Sequence, residues 1–563
     1  MKYQERNSEI WKTAFIDSRA GKASGKYKDW YNVKDTDTQN IECFDWKERV
    51  ENWYPIETEF VLLSQSAHED LEVLQAKEKE LLSWKDHSVY EEHDDTGQAV
   101  LSTRWVCTVK DTEGGKVHKA RLVVRGYEED TEALDKDSPT CHKESLRTLI
   151  TICSAQGWTL NTLDIQAAFL QGKPIERPVY VRPPKEANTG KVWKLNKAAY
   201  GLNDASKQWY CRLSQEFQRL GLTKSKLDPA VFFLHETQSS QLVGFVASHV
   251  DDVVWAGTQY FSDNVIDKVK SSFNISREHQ EHFTYVGLKI EQDQDQINLH
   301  QKNYIDEIRS VQTDETLGSD PCREISEKEK KDLRSAIGQL NWISTQTRPD
   351  IAYDVCQASV SYKRATLKDI KHLNKVIRRA KDQEVVLTFD KKIGTKMDDC
   401  SIICYADASF KNLSDGGSQG GFLIFLYNEN TNCLIPIQWQ SKRIKRIVRS
   451  ALAAECLALQ DGVDAAYLIR ELIKEIKGVT LKITAMTDSK SLFDAINSTK
   501  SVEDKRLRPD IAALKEKHDL GEVNLYCWIP TGEQLADCLT KAGASTAPLL
   551  KALSGGGLCS VRH

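Results

Sequence analysis

The alternation of apolar and polar residues changes character several times along this chain, and each change predicts a structural boundary. The first 70 residues are polar and rich in Lys and Asp, with only broken periodicity, so we expect a loosely ordered tail or linker there. A helical pattern then covers Asp70 to Trp84. Two alternating segments follow, Ser102 to Lys110 and Lys116 to Arg125, and the Gly-rich stretch Glu113-Gly114-Gly115 between them predicts a β-hairpin.

Mixed strand and helix patterns continue to about Ile308, where a polar segment containing Gly318 and Pro321 suggests a domain boundary. Helical sequence then runs to about Glu384, and a new alternating strand begins at Ser401. The sequence that follows has the usual length of one compact α/β domain, about 145 residues. We therefore predict a multidomain protein of α/β and α+β class, with segments at residues 1–70, 71–310, 311–395, 396–545 and 546–563.

Composition excludes several classes of protein. Of the 563 residues, 40% are hydrophobic and 28% are charged, an ordinary globular balance. No apolar run reaches the roughly 18 residues that a membrane span needs, and the charged N-terminus MKYQERNSE is unlike a signal peptide. We expect a soluble, cytoplasmic protein whose 14 cysteines stay reduced. No Cys and His spacing of the zinc type occurs, so structural zinc is not expected.

The net charge of −5 would not by itself attract nucleic acid, so any such binding needs a local basic patch. Residues 361–383 contain eight basic residues and two acidic ones. Four of the basic residues, Lys371, Lys375, Arg378 and Arg379, fall on one face of a helix. From the residues alone, a solvated helix face and a nucleic-acid surface are equally good interpretations.

The first set of candidate catalytic residues is Asp164, in LNTLDIQAAFLQG, together with Asp251 and Asp252, in LVGFVASHVDDVVWAG. The two aspartates form a charged turn between two apolar strands, where Asn-Gly or Gly-Gly would be usual. Two like charges there repel unless a divalent cation such as Mg²⁺ lies between them, and Asp164 could complete a two-metal site for phosphoryl transfer. Judged on the dipeptide alone, solvated turn residues are the better interpretation.

The neighbouring motifs change that balance. In order they are WV, KARLVVRGYEE, SPTCHKESLRTLI, GWTLNTLDIQAAFLQG, VYVRPP, KLNKAAYGLNDASKQWY, FTYVGLKI, HQKNYIDEI and IGQLNWISTQTRPDIAYDV. This ordered set resembles the reverse transcriptase of copia-type LTR retrotransposons, from about Leu71 onward. The resemblance implies a right-hand polymerase, with fingers and palm in residues 71–310 and a thumb or connection in residues 311–395.

The resemblance also assigns roles to single residues. Asp164, Asp251 and Asp252 match the metal-binding aspartates of the family. Lys119 and Arg121 match basic fingers residues that would neutralise the incoming triphosphate. Phe169 matches the aromatic residue that lies against the nucleotide sugar and excludes a 2′-hydroxyl. The segment Tyr200-Gly201-Leu202 corresponds to a template-contacting turn. The alternatives are a surface pair on a hairpin for the two basic residues, an ordinary core residue for Phe169 and a helix-entry turn for Tyr200-Gly201-Leu202.

His249 departs from the family pattern, which has Tyr before Val-Asp-Asp. An imidazole is shorter than a phenol and ordinarily titrates near pH 6.5. We therefore expect an impaired polymerase rate that depends on pH between about 6 and 7, and His249→Tyr to relieve both effects.

The second candidate set is Asp407, Glu455, Asp488 and Asp537, each placed after or on an apolar element. By spacing alone, four unrelated surface acids are the better interpretation. Their motifs, YADAS, AAE, TDSKS and QLADCLTK, resemble the RNase H domain at the end of copia-type polyproteins, which implies an RNase H-like α/β domain in residues 396–545 holding two Mg²⁺ (or Mn²⁺) ions. The histidine that many RNases H carry before the last aspartate does not occur between Trp528 and Asp537, so product release could be slower.

Polymerase followed by RNase H implies an RNA-directed DNA polymerase that uses dNTPs, an RNA template and a DNA primer and then degrades RNA–DNA hybrid. The order favours nucleic-acid contact by the basic helix, and a second basic run, Lys442 to Arg449, could grip hybrid phosphates. Such a protein is expected in the cytoplasm, including virus-like particles, or in the nucleus. The alternatives are a decayed or host-adopted nucleic-acid binder and a protein with RNase H activity alone. Nothing before Leu71 resembles a protease or integrase, so we expect a partial element.

Overall fold

The computed structural model describes residues 70–554 apart from 113–114, 130–133, 315, 317, 414 and 501. Of residues 1–69, 110–112 and 115 it describes strand backbone alone. Five N-terminal strands form one antiparallel sheet, and they are Lys2–Glu5, Trp11–Arg19, Trp30–Asp35, Ile41–Asp45 and Val50–Tyr54. Val61–Leu62 pairs with Thr103–Thr112. The side chains of residues 1–69 lie outside the described residues, and a tail or linker at residues 1–70 stays a prediction.

The predicted hairpin is present. Strands Thr103–Thr112 and Gly115–Val124 pair in register from Thr112 opposite Gly115 to Thr103 opposite Val124. Helix Leu71–Asp86 packs on the hairpin and buries Val73 and Trp84. A four-stranded sheet completes this region, in the order Tyr90–His93, Val192–Leu195, Tyr180–Val181 and Val100–Leu101.

A six-stranded sheet follows, and two helices cover it. Its strand order is Thr223–Lys224, Val231–His235, Leu242–His249, Asp252–Gly257, Asn161–Ile165 and Ile275–Gln280. The helices are Lys143–Gln156 and Ala205–Arg219, and shorter helical segments occur at Gln259–Phe261, Ser262–Ile266 and Asp267–Ser272. The central strands are buried on both faces because helices and neighbouring sheets cover them, which explains their nearly continuous apolar sequence.

A helical region lies between the two halves of the chain. Its helices are Lys302–Glu307, Glu327–Gln346, Ala352–Ser361 and Leu367–Asp382, and they share a core of their own. Ser326 and Thr366 start two of them through reciprocal capping contacts with Glu329 and Asp369. Strand Leu387–Asp390 then returns to a sheet with His282–Tyr285, Leu288–Gln292 and Gln296–His300, so this sheet spans the predicted boundary at residue 310.

The second α/β unit occupies residues 400–554. Its five-stranded sheet has the order Cys433–Arg443, Gln419–Asn428, Cys400–Ser409, Lys482–Thr487 and Leu525–Trp528. The first three strands are antiparallel and the last two are parallel to their neighbours. Its helices are Ala451–Lys477, Lys490–Asn497, Arg508–Asp519 and Ala547–Leu553.

Short 3₁₀ turns connect these elements. They are Gly126–Glu128, Ala168–Gln171, Lys185–Ala187, Pro349–Ile351, Tyr362–Arg364, Lys391–Ile393, Met397–Asp399, Thr531–Glu533 and Leu535–Leu539. Every helix in the described part of the chain is too short or too polar to cross a lipid bilayer.

One continuous core joins the second α/β unit to the first half of the chain. It includes helix Lys143–Gln156, the sheet that contains Leu387–Asp390, and both faces of the five-stranded sheet. The buried Arg147 guanidinium bridges the same parts, because it donates to the carbonyls of Ile437 at 3.0 Å, Thr345 at 2.8 Å and Gln346 at 2.7 Å. The two halves therefore form a single packed body.

Candidate functional site

Strand pairing brings the first set of aspartates to one end of the six-stranded sheet. Asp164 lies directly opposite Asp252 across the ladder, and the backbone N–H of Ile165 donates to the carbonyl of Asp251 at 3.1 Å. All three aspartates are half-buried. Asp164 and Asp251 are 87 positions apart in the sequence, and they become neighbours because their strands are adjacent.

The turn that carries Asp251 is held in an unfavourable backbone conformation. Val250 has a φ of 59°, a region that a β-branched residue rarely adopts. The indole N–H of Trp209 donates to the Val250 carbonyl at 2.6 Å, and this hydrogen bond holds the turn in place. Such strain persists only where surrounding contacts impose it, and it is concentrated at functional sites.

The side chains of this set are less tightly grouped than those of Asp407, Asp488 and Asp537. One Asp164 oxygen accepts a hydrogen bond from the hydroxyl of Ser276 at 2.6 Å. Within the described ranges, the only three carboxylates that bring one oxygen each within 4.8 Å of one another are Asp407, Asp488 and Asp537. Asp164, Asp251 and Asp252 are hard oxygen donors of the kind that bind a divalent cation. Their arrangement is more open than that of Asp407, Asp488 and Asp537.

Two of the three predicted nucleotide contacts, Arg121 and Phe169, meet at Tyr200. Lys119 and Arg121 alternate on the exposed side of strand Gly115–Val124, and the Arg121 guanidinium lies 5.3 Å from the centroid of the Tyr200 ring. The half-buried Phe169 ring meets the same ring edge-on at 5.1 Å. Burial raises the pKa of Tyr200 well above its usual value. The sequence assigned Tyr200 to a template-contacting turn, and its role as the link between Arg121 and Phe169 was missed.

Gly201 explains how Tyr200 comes so close to the hairpin. The backbone of Gly201 has a φ of +93°, and a Cβ there would lie 2.0 Å from the Val124 carbonyl oxygen. The Val124 N–H donates to the Tyr200 carbonyl at 2.7 Å, and the Gly126 N–H donates to the Gly201 carbonyl at 3.1 Å. Only glycine permits this close approach of two backbones.

The expectation that His249 titrates near pH 6.5 is wrong. His249 ends its strand opposite Asp252, and burial lowers the pKa of its imidazole to about 4. Desolvation disfavours the charged form, so the ring is neutral throughout the range in which we expected it to change charge.

The second acidic set forms a compact cluster in the second α/β unit. Asp407 lies in the central strand Cys400–Ser409 and is fully buried, Asp488 follows strand Lys482–Thr487, and Asp537 lies in the turn Leu535–Leu539. Glu455 approaches from helix Ala451–Lys477, and its buried Oε2 has no hydrogen-bond partner. Burial and the neighbouring aspartates raise the pKa of Glu455 well above its usual value. A buried, unpartnered carboxylate oxygen beside three others is the donor set that a divalent cation requires.

Lys541 partly compensates this negative charge. Its ammonium group donates to Asp537 at 2.6 Å and to Asp407 at 3.3 Å, while the Thr540 hydroxyl donates to the other Asp407 oxygen. Although burial alone would lower it, the two carboxylates raise the pKa of Lys541. Lys541 was missed from the sequence, although its position four residues after Asp537 in QLADCLTK was the available signal.

The predicted nucleic-acid face divides into exposed and paired residues. Lys371, Lys375 and Arg378 are exposed on helix Leu367–Asp382. Arg379 instead forms an ion pair with Asp354 of the preceding helix. The second basic run is largely paired with acids, since Arg443, Arg446 and Lys442 contact Asp415, Asp510 and Asp461.

Part of the chain matches a known protein family. Residues 91–322 match the family described as "Reverse transcriptase (RNA-dependent DNA polymerase)". That range contains Asp164, Asp251 and Asp252, together with all three predicted nucleotide contacts.

Curated relatives extend the similarity across most of the chain. It is 25% identical to the retrovirus-related Pol polyprotein from transposon RE1 of Arabidopsis thaliana, over 80% of this chain and 31% of that protein. The corresponding polyprotein from transposon TNT 1-94 of Nicotiana tabacum is 25% identical over 88% of this chain and 39% of its own length. The Ty1-DR6 Gag-Pol polyprotein of Saccharomyces cerevisiae is 24% identical over 82% and 27%. This chain therefore spans about a third of the length of these relatives.

A solved structure has a similar fold. A foamy viral protease-reverse transcriptase, determined in complex with double-stranded DNA, aligns with a TM-score of 0.50 and 13% identity, over 81% of this chain and 70% of that one. The likeness supports a polymerase fold, and the structure of this chain itself contains the further α/β unit at residues 400–554.

Proposed function

We propose that this chain is an RNA-directed DNA polymerase with a fused RNase H, because residues 91–322 match a reverse transcriptase family and most of the chain is similar to retrotransposon Pol polyproteins. The observation that carries the polymerase part is the pairing of Asp164 with Asp252 beside the strained Val250 turn, inside the family match. A surface turn would not need a buried tryptophan to hold a valine in the left-handed region.

At the polymerase site, Asp164, Asp251 and Asp252 would hold Mg²⁺ or Mn²⁺, which supplies charge stabilisation at the phosphate oxygens during transfer to a DNA primer. Arg121 and Lys119 would neutralise the triphosphate of the incoming dNTP. The Phe169 ring, held by Tyr200, would occupy the space next to the sugar.

The fused hydrolase rests on the second acidic cluster. Asp407, Glu455, Asp488 and Asp537 would hold the cations for cleavage of the RNA strand in an RNA–DNA hybrid. The unpartnered Glu455 oxygen supports this assignment, because leaving a buried carboxylate oxygen unsatisfied costs about 1–3 kcal/mol unless a ligand completes it. Lys541 would neutralise the cluster between catalytic cycles.

The template and hybrid would run along the exposed basic face of helix Leu367–Asp382. Lys371, Lys375 and Arg378 form no ion pair with any described residue, so their charges are available to phosphates. Arg379 contributes less, because Asp354 already neutralises it.

Two single substitutions test the two activities separately. Asp251→Asn should abolish extension of oligo(dT) on poly(rA) and leave cleavage of a labelled hybrid intact, because the two sites use different carboxylates. Glu455→Gln should do the reverse. Loss of one charged ligand should lower the affected rate by about 100-fold or more. Asp267→Asn, an exposed residue on a nearby helix, is the control and should change neither rate.

The alternatives make different predictions. A decayed or host-adopted binder would show neither activity in the unmodified chain while still binding primer–template. A protein with RNase H activity alone would cleave hybrid and fail to extend the primer with either metal ion. If Asp251→Asn removed both activities, the two reactions would share a site or the substitution would disrupt folding.

A further inference from the structure

An exposed tryptophan lies beside the second acidic cluster. Trp528 is the last residue of the edge strand Leu525–Trp528 and keeps 45% of its surface exposed. It is the only exposed tryptophan among the described residues. An exposed indole offers a large flat apolar surface to which a base or a sugar can bind.

The indole ring of Trp528 is fixed in place by the strand that carries the cluster. Trp528 pairs with Thr487 in the parallel ladder. Its indole N–H donates to the backbone carbonyl of Asp488 at 3.0 Å. One edge of the ring is therefore attached to a residue of the acidic cluster, while much of the ring remains open to solvent.

A cation and a second aromatic ring adjoin Trp528. The Lys490 ammonium lies 5.7 Å from the centroid of the Trp528 ring and 4.6 Å from that of Phe493. Its only ion pair in the described part of the chain is an exposed contact with Asp494 at 3.0 Å, a kind of pair that contributes little to stability. The charge of Lys490 thus remains available to another anion.

We propose that Trp528 and Lys490 form a subsite for one nucleotide of the bound nucleic acid, next to the cleavage site. The exposed indole surface would contact the apolar face of a sugar or base, and the Lys490 ammonium would bind the adjoining phosphate. The proposal rests on the proposed RNase H function. A DNA strand and an RNA strand offer the same chemistry, and the test distinguishes them.

Steady-state cleavage of hybrid tests the subsite in the full chain. Trp528→Ala should raise KM by roughly ten-fold, the size of effect typical of one lost base–aromatic contact, with little change in kcat. Trp528→Phe keeps a ring but loses the N–H bond to Asp488, and its KM should remain near the unmodified value. Lys490→Ala should raise KM and reduce the salt dependence of KM by about one phosphate contact.

A purely structural role for Trp528 would give the opposite pattern. If Trp528→Phe lowered kcat as much as Trp528→Ala did, with KM unchanged, the indole would serve to position Asp488 and the subsite would be disproved. Tyr260→Ala is the matched control, because Tyr260 is 60% exposed and lies in the segment Gln259–Phe261, outside the second α/β unit. It should leave KM unchanged.

Photo-crosslinking gives a readout that does not require catalysis. Trp528→p-benzoylphenylalanine should crosslink to a bound hybrid, and the same replacement at Tyr260 should not. Labelling the DNA strand and the RNA strand in turn identifies the strand that occupies the subsite. Absence of a crosslink at position 528 would overturn the proposal. Absence of cleavage by the unmodified chain would instead overturn the RNase H assignment, even if the crosslink formed.

Discussion

Tyr200 connects two residues that the sequence treated as independent. Its ring contacts the Arg121 guanidinium on one side and the edge of Phe169 on another. Because Gly201 allows the backbone to approach Val124, these contacts are anchored to the hairpin itself. Packing therefore sets the position of the Phe169 ring, as its proposed role in sugar discrimination would require.

We expect Phe169→Val to let the polymerase accept ribonucleotides. The ring would overlap a 2′-hydroxyl, and removing an overlap of this kind relieves roughly 1 to 3 kcal/mol, or about ten-fold to a hundred-fold in discrimination. The measurement is the ratio of kcat/KM for dNTP over rNTP in the unmodified and substituted chains. An unchanged ratio with normal extension would mean that Phe169 is only a packing residue.

His249→Tyr should leave the pH dependence of primer extension between about 6 and 7 unchanged. Since burial lowers the pKa of His249 to about 4, its imidazole is neutral across that range, and tyrosine does not titrate there either. Extension rates of both chains should be compared at several pH values. A loss of pH dependence in the Tyr variant would show that His249 does titrate in the working enzyme.

At the scale of elements, the basic helix Leu367–Asp382 has two distinct sides. One side presents Lys371, Lys375 and Arg378 to solvent. The adjoining side attaches to helix Ala352–Ser361, where both His372 and Arg379 contact Asp354. The basic face that we predicted from helical spacing is therefore narrower than expected, because Arg379, one of its four basic residues, holds the two helices together.

The contact between His372 and Asp354 should make stability depend on pH. The hydrogen bond to Asp354 raises the pKa of His372 above its usual value, although Arg379 and Lys375 oppose this. Its stabilisation is therefore fully present below the unfolded-state pKa of about 6.5 and is lost as the pH rises through the folded-state value. His372→Gln should lower the thermal midpoint more at about pH 5.5 than at about pH 8.5. A pH-independent difference would contradict this.

At the scale of the whole molecule, the two halves share their hydrophobic core and several polar contacts. Arg147 packs 3.9 Å from the centroid of Trp439, whose indole N–H donates to the Ser344 carbonyl. The Ser225 hydroxyl donates to Glu475 at 2.6 Å. Because these contacts join the palm directly to the second α/β unit, we expect the two acidic sites to keep a fixed separation on one nucleic acid.

Arg147→Met should destabilise the two halves together, because they share one hydrophobic core. It leaves buried carbonyls of Ile437, Thr345 and Gln346 without their donor, which should cost about 2 to 5 kcal/mol. Extension and hybrid cleavage should be lost at the same denaturant concentration in each chain, and that concentration should be lower in the variant. Arg309→Met, at an exposed arginine, is the control and should leave that concentration unchanged.

The sequence alone predicted the features that depend on residues close together along the chain. Alternation and turn residues predicted the hairpin, whose register begins at Thr112 and Gly115, and motifs placed seven carboxylates at the ends of strands or on helices. The resemblance then identified which carboxylates belong together. Strand adjacency places Asp164 opposite Asp252. In the second sheet Asp407 lies in one strand and Asp488 directly follows the adjacent strand, with Asp537 beside them in a turn.

Only the tertiary structure decided the environments of individual groups. The ion pair of Arg379 and the contact of Lys541 with Asp407 form across long sequence separations, and the lowered pKa of His249 depends on burial by distant elements. The hydrogen bond from Arg147 to the Ile437 carbonyl likewise joins the two halves across nearly 300 positions of sequence. Sequence periodicity records which side of an element is apolar, whereas the electrostatic surroundings of a side chain depend on which elements the fold brings against it.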